Sequence, residues 1–201
     1  MSADILLLFR TPHADVAPPS RERILADLLA APGVVGARAF DINVILGDRP
    51  PAFHPELVIF ELGGDPMVVG LRSEGELLGW EGTSIGVGTG FDLPEHLYLQ
   101  FSAPPPSMSF EDYSDWYQVH QDENLAQTDA LTRGWRFRLE SLARTEQPGP
   151  THLAAYEIQG SLETVTGDLG RAMQAGVISV PAWFTRFASL EAVAAGERIA
   201  A

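Results

Sequence analysis

Apolar and polar positions in this chain alternate in short stretches separated by proline- and glycine-rich breaks. Ile5-Leu-Leu-Leu-Phe9 is continuously apolar, as in a strand buried on both faces, whereas Leu97, Leu99 and Phe101 alternate with Tyr98, Gln100 and Ser102. If that second set lines a space between packed sheets, the space is semi-polar. Along the first half the pattern predicts a strand at 4–10, a helix at 19–31, strands at 34–45 and 56–62, a weak helix at 66–78 and a strand at 84–91. Along the second it predicts a strand at 96–102, a helix at 109–127, strands at 130–140 and 151–158, helical stretches at 161–175 and 181–186, and a strand at 187–194.

The order strand, helix, strand, strand, helix, strand therefore occurs twice, and the residues repeat with it. Glu56-Leu-Val-Ile-Phe-Glu-Leu-Gly-Gly64 answers His152-Leu-Ala-Ala-Tyr-Glu-Ile-Gln-Gly160, with Glu61 over Glu157, at an offset of about 96 residues. Leu29 to Phe40 likewise answers Leu125 to Phe137 with one extra residue. The fold class expected is α+β: two ferredoxin-like βαββαβ units, 1–93 and 94–201, each with helices on one face of a four-stranded antiparallel sheet. The open apolar faces cannot be left in water, so the two sheets are expected to pack face to face within one chain, as an intramolecular barrel.

Composition narrows the chemistry. All 13 basic residues are arginine, and there is neither lysine nor cysteine, against 27 acidic residues and a net charge of −14. Schiff-base lysines, P-loop lysines, cysteine nucleophiles and thiolate metal sites are excluded, and so is a disulfide framework. An acidic surface speaks against nucleic acid and anionic membranes as partners. The run Ile5–Phe9 is too short for a signal peptide or a membrane span, so the expected location is cytoplasmic.

What remains for catalysis is histidine, tyrosine and carboxylate. At 100° per residue, Phe110, Tyr113, Trp116, Tyr117, His120 and Asn124 share one side of the 109–127 helix, and Glu111, Asp115 and Asp122 gather on another as a solvated face. His120 can accept a proton near neutral pH, and Tyr117 or Tyr113 can hold a developing oxyanion. The bland alternative is a core histidine with both nitrogens satisfied, among tyrosines and Trp116 that only pack. The repeat places Ile24, Arg21 and Ser20 opposite His120, Tyr117 and Trp116, so one half carries the cluster and its copy does not. Glu157 and Glu61 lie in otherwise apolar strands; Glu157 either pairs with Arg136 or Arg138 on the neighbouring strand or orients His120.

Gly82-Thr-Ser-Ile-Gly86 has the spacing of a nucleophile elbow, but Gly88, Gly90 and Pro94 follow where a helix should start; a glycine-rich edge strand or lid fits better. His13, His54, His96, His120 and His152 show no metal-ligand spacing.

Asp115-Trp-Tyr-Gln-Val-His120, followed by Leu125, Trp135-Arg-Phe137 and Leu153-Ala-Ala-Tyr-Glu157, resembles the EthD-like family of the dimeric α/β-barrel superfamily. The resemblance covers the second half, and the first only as fold. Pro32-Gly33 keeps the family's Pro-Gly in the first half, while Thr128-Asp129 replaces it in the second. It implies a histidine at the edge of the barrel cavity and cofactor-independent chemistry on a small, apolar, carbonyl-bearing compound. His120 is then the general acid/base, Tyr117 or Tyr113 the oxyanion donor and Glu157 the orienting carboxylate. Some barrels of this kind hold haem through a histidine, which would make His120 an axial ligand, but that is not what the EthD-like resemblance favours. The expectation is thus an isomerase, cyclase or lyase without cofactor or metal, or else a non-catalytic protein that sequesters a small hydrophobic molecule. The fused pair would act as a monomeric pseudo-dimer or as a homodimer of it.

Overall fold

A computed structural model describes residues 5–10, 30, 33–46, 56–63, 77–85, 94–141, 150–184 and 188–198. These form β1 (Ile5–Arg10), β2 (Val34–Leu46), β3 (Glu56–Leu62), β4 (Leu77–Ser84), β5 (His96–Ser102), α1 (Phe110–Gln127), β6 (Leu131–Ser141), β7 (His152–Ile158), α2 (Leu162–Gln174) and β8 (Ala188–Arg198). The second half therefore runs βαββαβ, as expected. The expected helix at 19–31 and most of that at 66–78 lie outside the described residues. Among the described residues no helix is long and apolar enough to cross a membrane.

All strand pairs are antiparallel and close in the order β1-β3-β2-β8-β5-β7-β6-β4. Each half contributes its four strands in the order fourth, first, third, second. The two sets meet along their edges, β2 with β8 and β4 with β6, so the sheet closes without an unpaired edge. The register repeats as well. Ile5 faces Glu61 as Leu97 faces Glu157, and the bulge between Val34 and Gly36 recurs between Leu131 and Arg133. At the seams Phe40 faces Gly196 as Phe137 faces Ser84.

Two boundaries differ from expectation. β4 occupies 77–84 instead of 84–91, because its glycines serve close packing: a Cβ on Gly82 would stand 2.6 Å from Ile5 Cγ1 and 3.3 Å from Phe137 Cβ. β8 runs on to Arg198, since Ala195–Arg198 pair with Arg38–Asp41 after the earlier residues have paired with β5. The stretch expected to be helical from 181 is a single turn, closed by Phe184 N–H donating to Pro181 O at 2.9 Å.

The two faces of the sheet hold different cores. Ile5, Phe40, Leu57, Leu97, Leu99, Phe101, Phe137 and Leu153 belong to one buried cluster on the inward face, an apolar interior. Tyr98, Tyr156 and Ala154 belong to another, with Tyr113, Tyr117, Val165 and Leu169 of the helices. The polar set Tyr98, Gln100 and Ser102 thus faces α1 and not the space enclosed by the sheet, correcting the expectation of a semi-polar interior.

α1 starts at the Ser109 N-cap, whose Oγ accepts from Asp112 N at 3.0 Å; Ser161 caps α2 in the same way through Thr164 N at 3.1 Å. Arg136 pins α1 to β6, donating to Ser114 O at 2.6 Å, Ser114 Oγ at 3.1 Å and Gln118 Oε1 at 2.6 Å. Beside it Gly134 lets the helix approach, since a Cβ there would lie 2.5 Å from Gln121 Nε2.

Candidate functional site

The site is built from one face of α1 laid over the outward face of β5 and β7. Period two puts Tyr98, Gln100 and Ser102 beside His152, Ala154 and Tyr156, with Tyr98 facing Tyr156 and Ser102 facing His152 in register. Small Ala154 between the two large residues of its strand leaves room for the helix side chains. From α1, Tyr113, Tyr117, His120 and Asn124 descend onto this surface, and all four are buried. Ile178, Trp183 and Phe184, beyond α2, pack over the same layer. That segment is tied to α1 by Ser179 N–H donating to Glu123 Oε2 at 3.0 Å.

Some polar groups here are spoken for. Tyr117 O–H donates to Gln100 Oε1 at 2.6 Å, and Gln100 Nε2 donates to Tyr98 Oη at 3.1 Å. Asn124 Nδ2 donates to Tyr156 Oη at 3.2 Å, and Ser102 Oγ lies 3.2 Å from His152 Nδ1. Others are not: both ring nitrogens of His120, the Tyr113 hydroxyl, His152 Nε2 and Asn124 Oδ1 are buried without a hydrogen-bond partner. The Ser179 backbone approaches His120, and Ser102 approaches the Tyr113 hydroxyl, without completing a bond. Buried polar atoms are rarely left so.

The rings set the geometry. His120 stacks on Trp116 at 4.9 Å and 15°, and meets Tyr117 edge-on at 5.5 Å and Phe184 at 5.4 Å. Tyr117 lies 4.3 Å from His152, and Tyr113 meets His152 edge-on at 5.4 Å. Burial holds His120 below the usual histidine range, opposed by the Glu123 charge and the Ser179 backbone. Burial, helped by the Arg136 charge, pushes His152 down to about 3. Both imidazoles are therefore neutral at physiological pH, with lone pairs free to accept a hydrogen bond, and burial makes His152 a weaker base than a free histidine. Burial pushes the Tyr113 phenol up, against a smaller opposing effect of Ser102, so it remains a proton donor.

Of the four residues singled out from sequence, Tyr113, Tyr117 and His120 come together. Glu157 does not join them. Its face of β7 is that of Leu153 and Ala155, the inward one, and its Oε2 accepts from Arg133 Nε at 2.7 Å and Thr132 Oγ1 at 2.8 Å. The Arg133 hydrogen bond, aided by Thr132, holds its carboxyl below the usual range. Its expected roles are both corrected: the sheet separates it from His120, and its ion pair is with Arg133. Arg136 and Arg138 lie on the other face, toward α1, where Arg138 sits over the Phe110 ring at 4.4 Å.

Sequence reasoning passed over His152, Ser102 and Gln100 as site residues. The signal was present: all three fall in step with Tyr98 and Tyr156 at period two. Among the described residues no three histidine or carboxylate side chains converge as a metal-binding set. The chain matches no protein-family model and no curated relative.

Proposed function

We propose that this chain is a cofactor-independent enzyme of the EthD-like barrel type. It acts on a small, apolar, carbonyl-bearing compound by general acid/base chemistry, as an isomerase, cyclase or lyase. In the same reading the closed sheet is the intramolecular counterpart of a dimeric α/β-barrel, made of ferredoxin-like units at 1–93 and 94–201. The doubled strand order and the doubled bulge support that ancestry.

One observation carries the chemical reading: the unpartnered nitrogens of His120, the unpartnered Tyr113 hydroxyl and His152 Nε2 gather in one aromatic layer. His120, neutral and uncommitted, takes a proton from the carbon beside the substrate carbonyl. Tyr113, protonated and uncommitted, donates to the enolate oxygen that develops. Tyr117 has its proton engaged with Gln100 and acts by holding the rings in place, so the donor role passes to Tyr113. His152 offers a second acceptor from the sheet side. Trp116, Trp183 and Phe184 supply the apolar walls, and the 178–184 segment excludes water once the substrate is in.

The test is exchange of α-protons for deuterium in heavy water, followed by NMR over a panel of small aryl and alkyl ketones. His120→Gln and Tyr113→Phe are expected to slow exchange of an accepted compound by about 10²-fold or more. Unchanged exchange in both variants would sink the assignment. A non-catalytic binding role is the second reading, favoured by the near-complete burial of His120 and its stacking on Trp116; it requires saturable binding with no exchange above the solvent rate.

A further inference from the structure

The inward face of β2 carries a charge next to the described apolar cluster of the interior. Arg38 is two residues from Phe40 and is the Cα partner of Ile59, both members of the interior cluster, so period two turns its side chain inward with theirs. It is 6% exposed, and neither Nε nor Nη1 has a hydrogen-bond acceptor. Leaving guanidinium donors unpaired in an apolar setting is strongly unfavourable.

Among the described residues, the inward carboxylates Glu61 and Glu157 are engaged. Glu61, two residues along β3 from Ile59, lies over Gly36, where a Cβ would stand 2.6 Å from its Oε2, and it has a partner of its own. Glu157 is held by Arg133 and Thr132. On the other side of β2 the Cα partner of Arg38 is Arg198 of β8, which brings a second arginine position beside the first. The repeat sets Trp135 at the place Arg38 occupies, opposite Ala155 as Arg38 is opposite Ile59, so the second half fills with an aromatic ring what the first half leaves charged. A planar fork of N–H donors bordered by Phe40 and Ile59 is the recognition set for a carboxylate on an apolar body.

We propose that the barrel interior binds a small carboxylate with an apolar body, its oxygens accepting from Nε and Nη1 of Arg38 and its body lying against Phe40 and Ile59. The site is on the opposite face of the sheet from His120 and does not depend on His120 being a base.

Octanoate is the probe, titrated calorimetrically into the full chain at neutral pH, with octanol as the uncharged control. Octanoate is expected to bind once per chain and to raise the melting temperature; Arg38→Met weakens it about tenfold or more and leaves octanol binding no weaker. The free Arg38→Met protein is expected to melt no lower than the wild type, since Nε and Nη1 of the guanidinium have no acceptor to lose, and to keep the α-proton exchange rate. Three outcomes would each overturn the proposal. They are no saturable octanoate binding to the wild type, equal octanoate affinity in Arg38→Met, or an Arg38→Met chain that melts well below the wild type and so reveals an internal partner for the guanidinium.

Discussion

Replacing His152 with phenylalanine should make the fold more resistant to acid. The ring is fully buried, with Tyr117 at 4.3 Å and Tyr113 at 5.4 Å, and it titrates at about 3 where a free histidine titrates at 6.5. A base whose pKa is depressed by folding is protonated first in the unfolded chain. The neutral ring's contribution is therefore complete above pH 6.5 and is lost as the pH falls from there toward 3, because the unfolded state binds a proton that the folded state refuses. At about 1.4 kcal/mol per pH unit of differential binding, the loss attributable to His152 between pH 7 and pH 5 is about 2 kcal/mol. Phenylalanine keeps the ring contacts and sacrifices the approach of Ser102 Oγ to Nδ1, a cost that is the same at both pH values and cancels. His120, also lowered by burial, adds a loss of the same sign in both proteins and cancels too. Urea unfolding of wild type and His152→Phe at the two pH values gives the comparison. The wild type should lose about 2 kcal/mol more than the variant. Parallel losses would mean that His152 is not held neutral by its surroundings.

Two further substitutions probe how the chain is put together. Gly82→Val drives a branched side chain against Ile5 Cγ1 and Phe137 Cβ and should cost about 1–3 kcal/mol in chemical unfolding; trimming Ile5 to alanine in the same chain should recover part of that cost, and strict additivity would show that the two do not touch. Glu157→Gln breaks a pair whose Arg133 side chain is 45% exposed, so the loss should stay below about 1 kcal/mol, and α-proton exchange should be unaltered because the carboxylate is on the far face of the sheet from His120.

Where side-chain pattern and burial coincide, the fold was legible. Strands at 56–62 and 96–102 and the helix at 110–127 stand where the hydrophobic pattern puts them. β4 was not legible, because Leu77-Leu-Gly-Trp-Glu-Gly-Thr-Ser84 has no polar alternation and its glycines read as breakers; their use is close approach across the sheet, which only the packed structure reveals. Glu157 was misjudged for a related reason. Leu153-Ala-Ala-Tyr156 is apolar on both sides, so nothing in that stretch tells which face looks toward α1, and a carboxylate one residue from Tyr156 falls on the opposite face. Spacing along the chain does not reveal His152, because its neighbours Ser102 and Tyr117 come from another strand and a helix.

The asymmetry of the two copies has a physical rationale in their being one chain. In a barrel made of two identical chains, an inward arginine on one sheet is matched by a second across the axis, and two unpaired guanidinium groups share one apolar interior. A single chain is free of that constraint: Arg38 stands where the second half has Trp135, so that only one of these two matching positions carries a charge beside Phe40, Leu57, Leu97, Phe101 and Phe137. The outer faces obey the same logic. The helix over the second sheet can carry His120 and its tyrosines while Ile24 and Arg21 stand at the matching positions of the first half, because the strand pairing that closes the sheet constrains the backbone and leaves each face to be specified separately. In the proposed reading, the chemistry on the outer face of one half and the charge on the inner face of the other are then specified independently of each other.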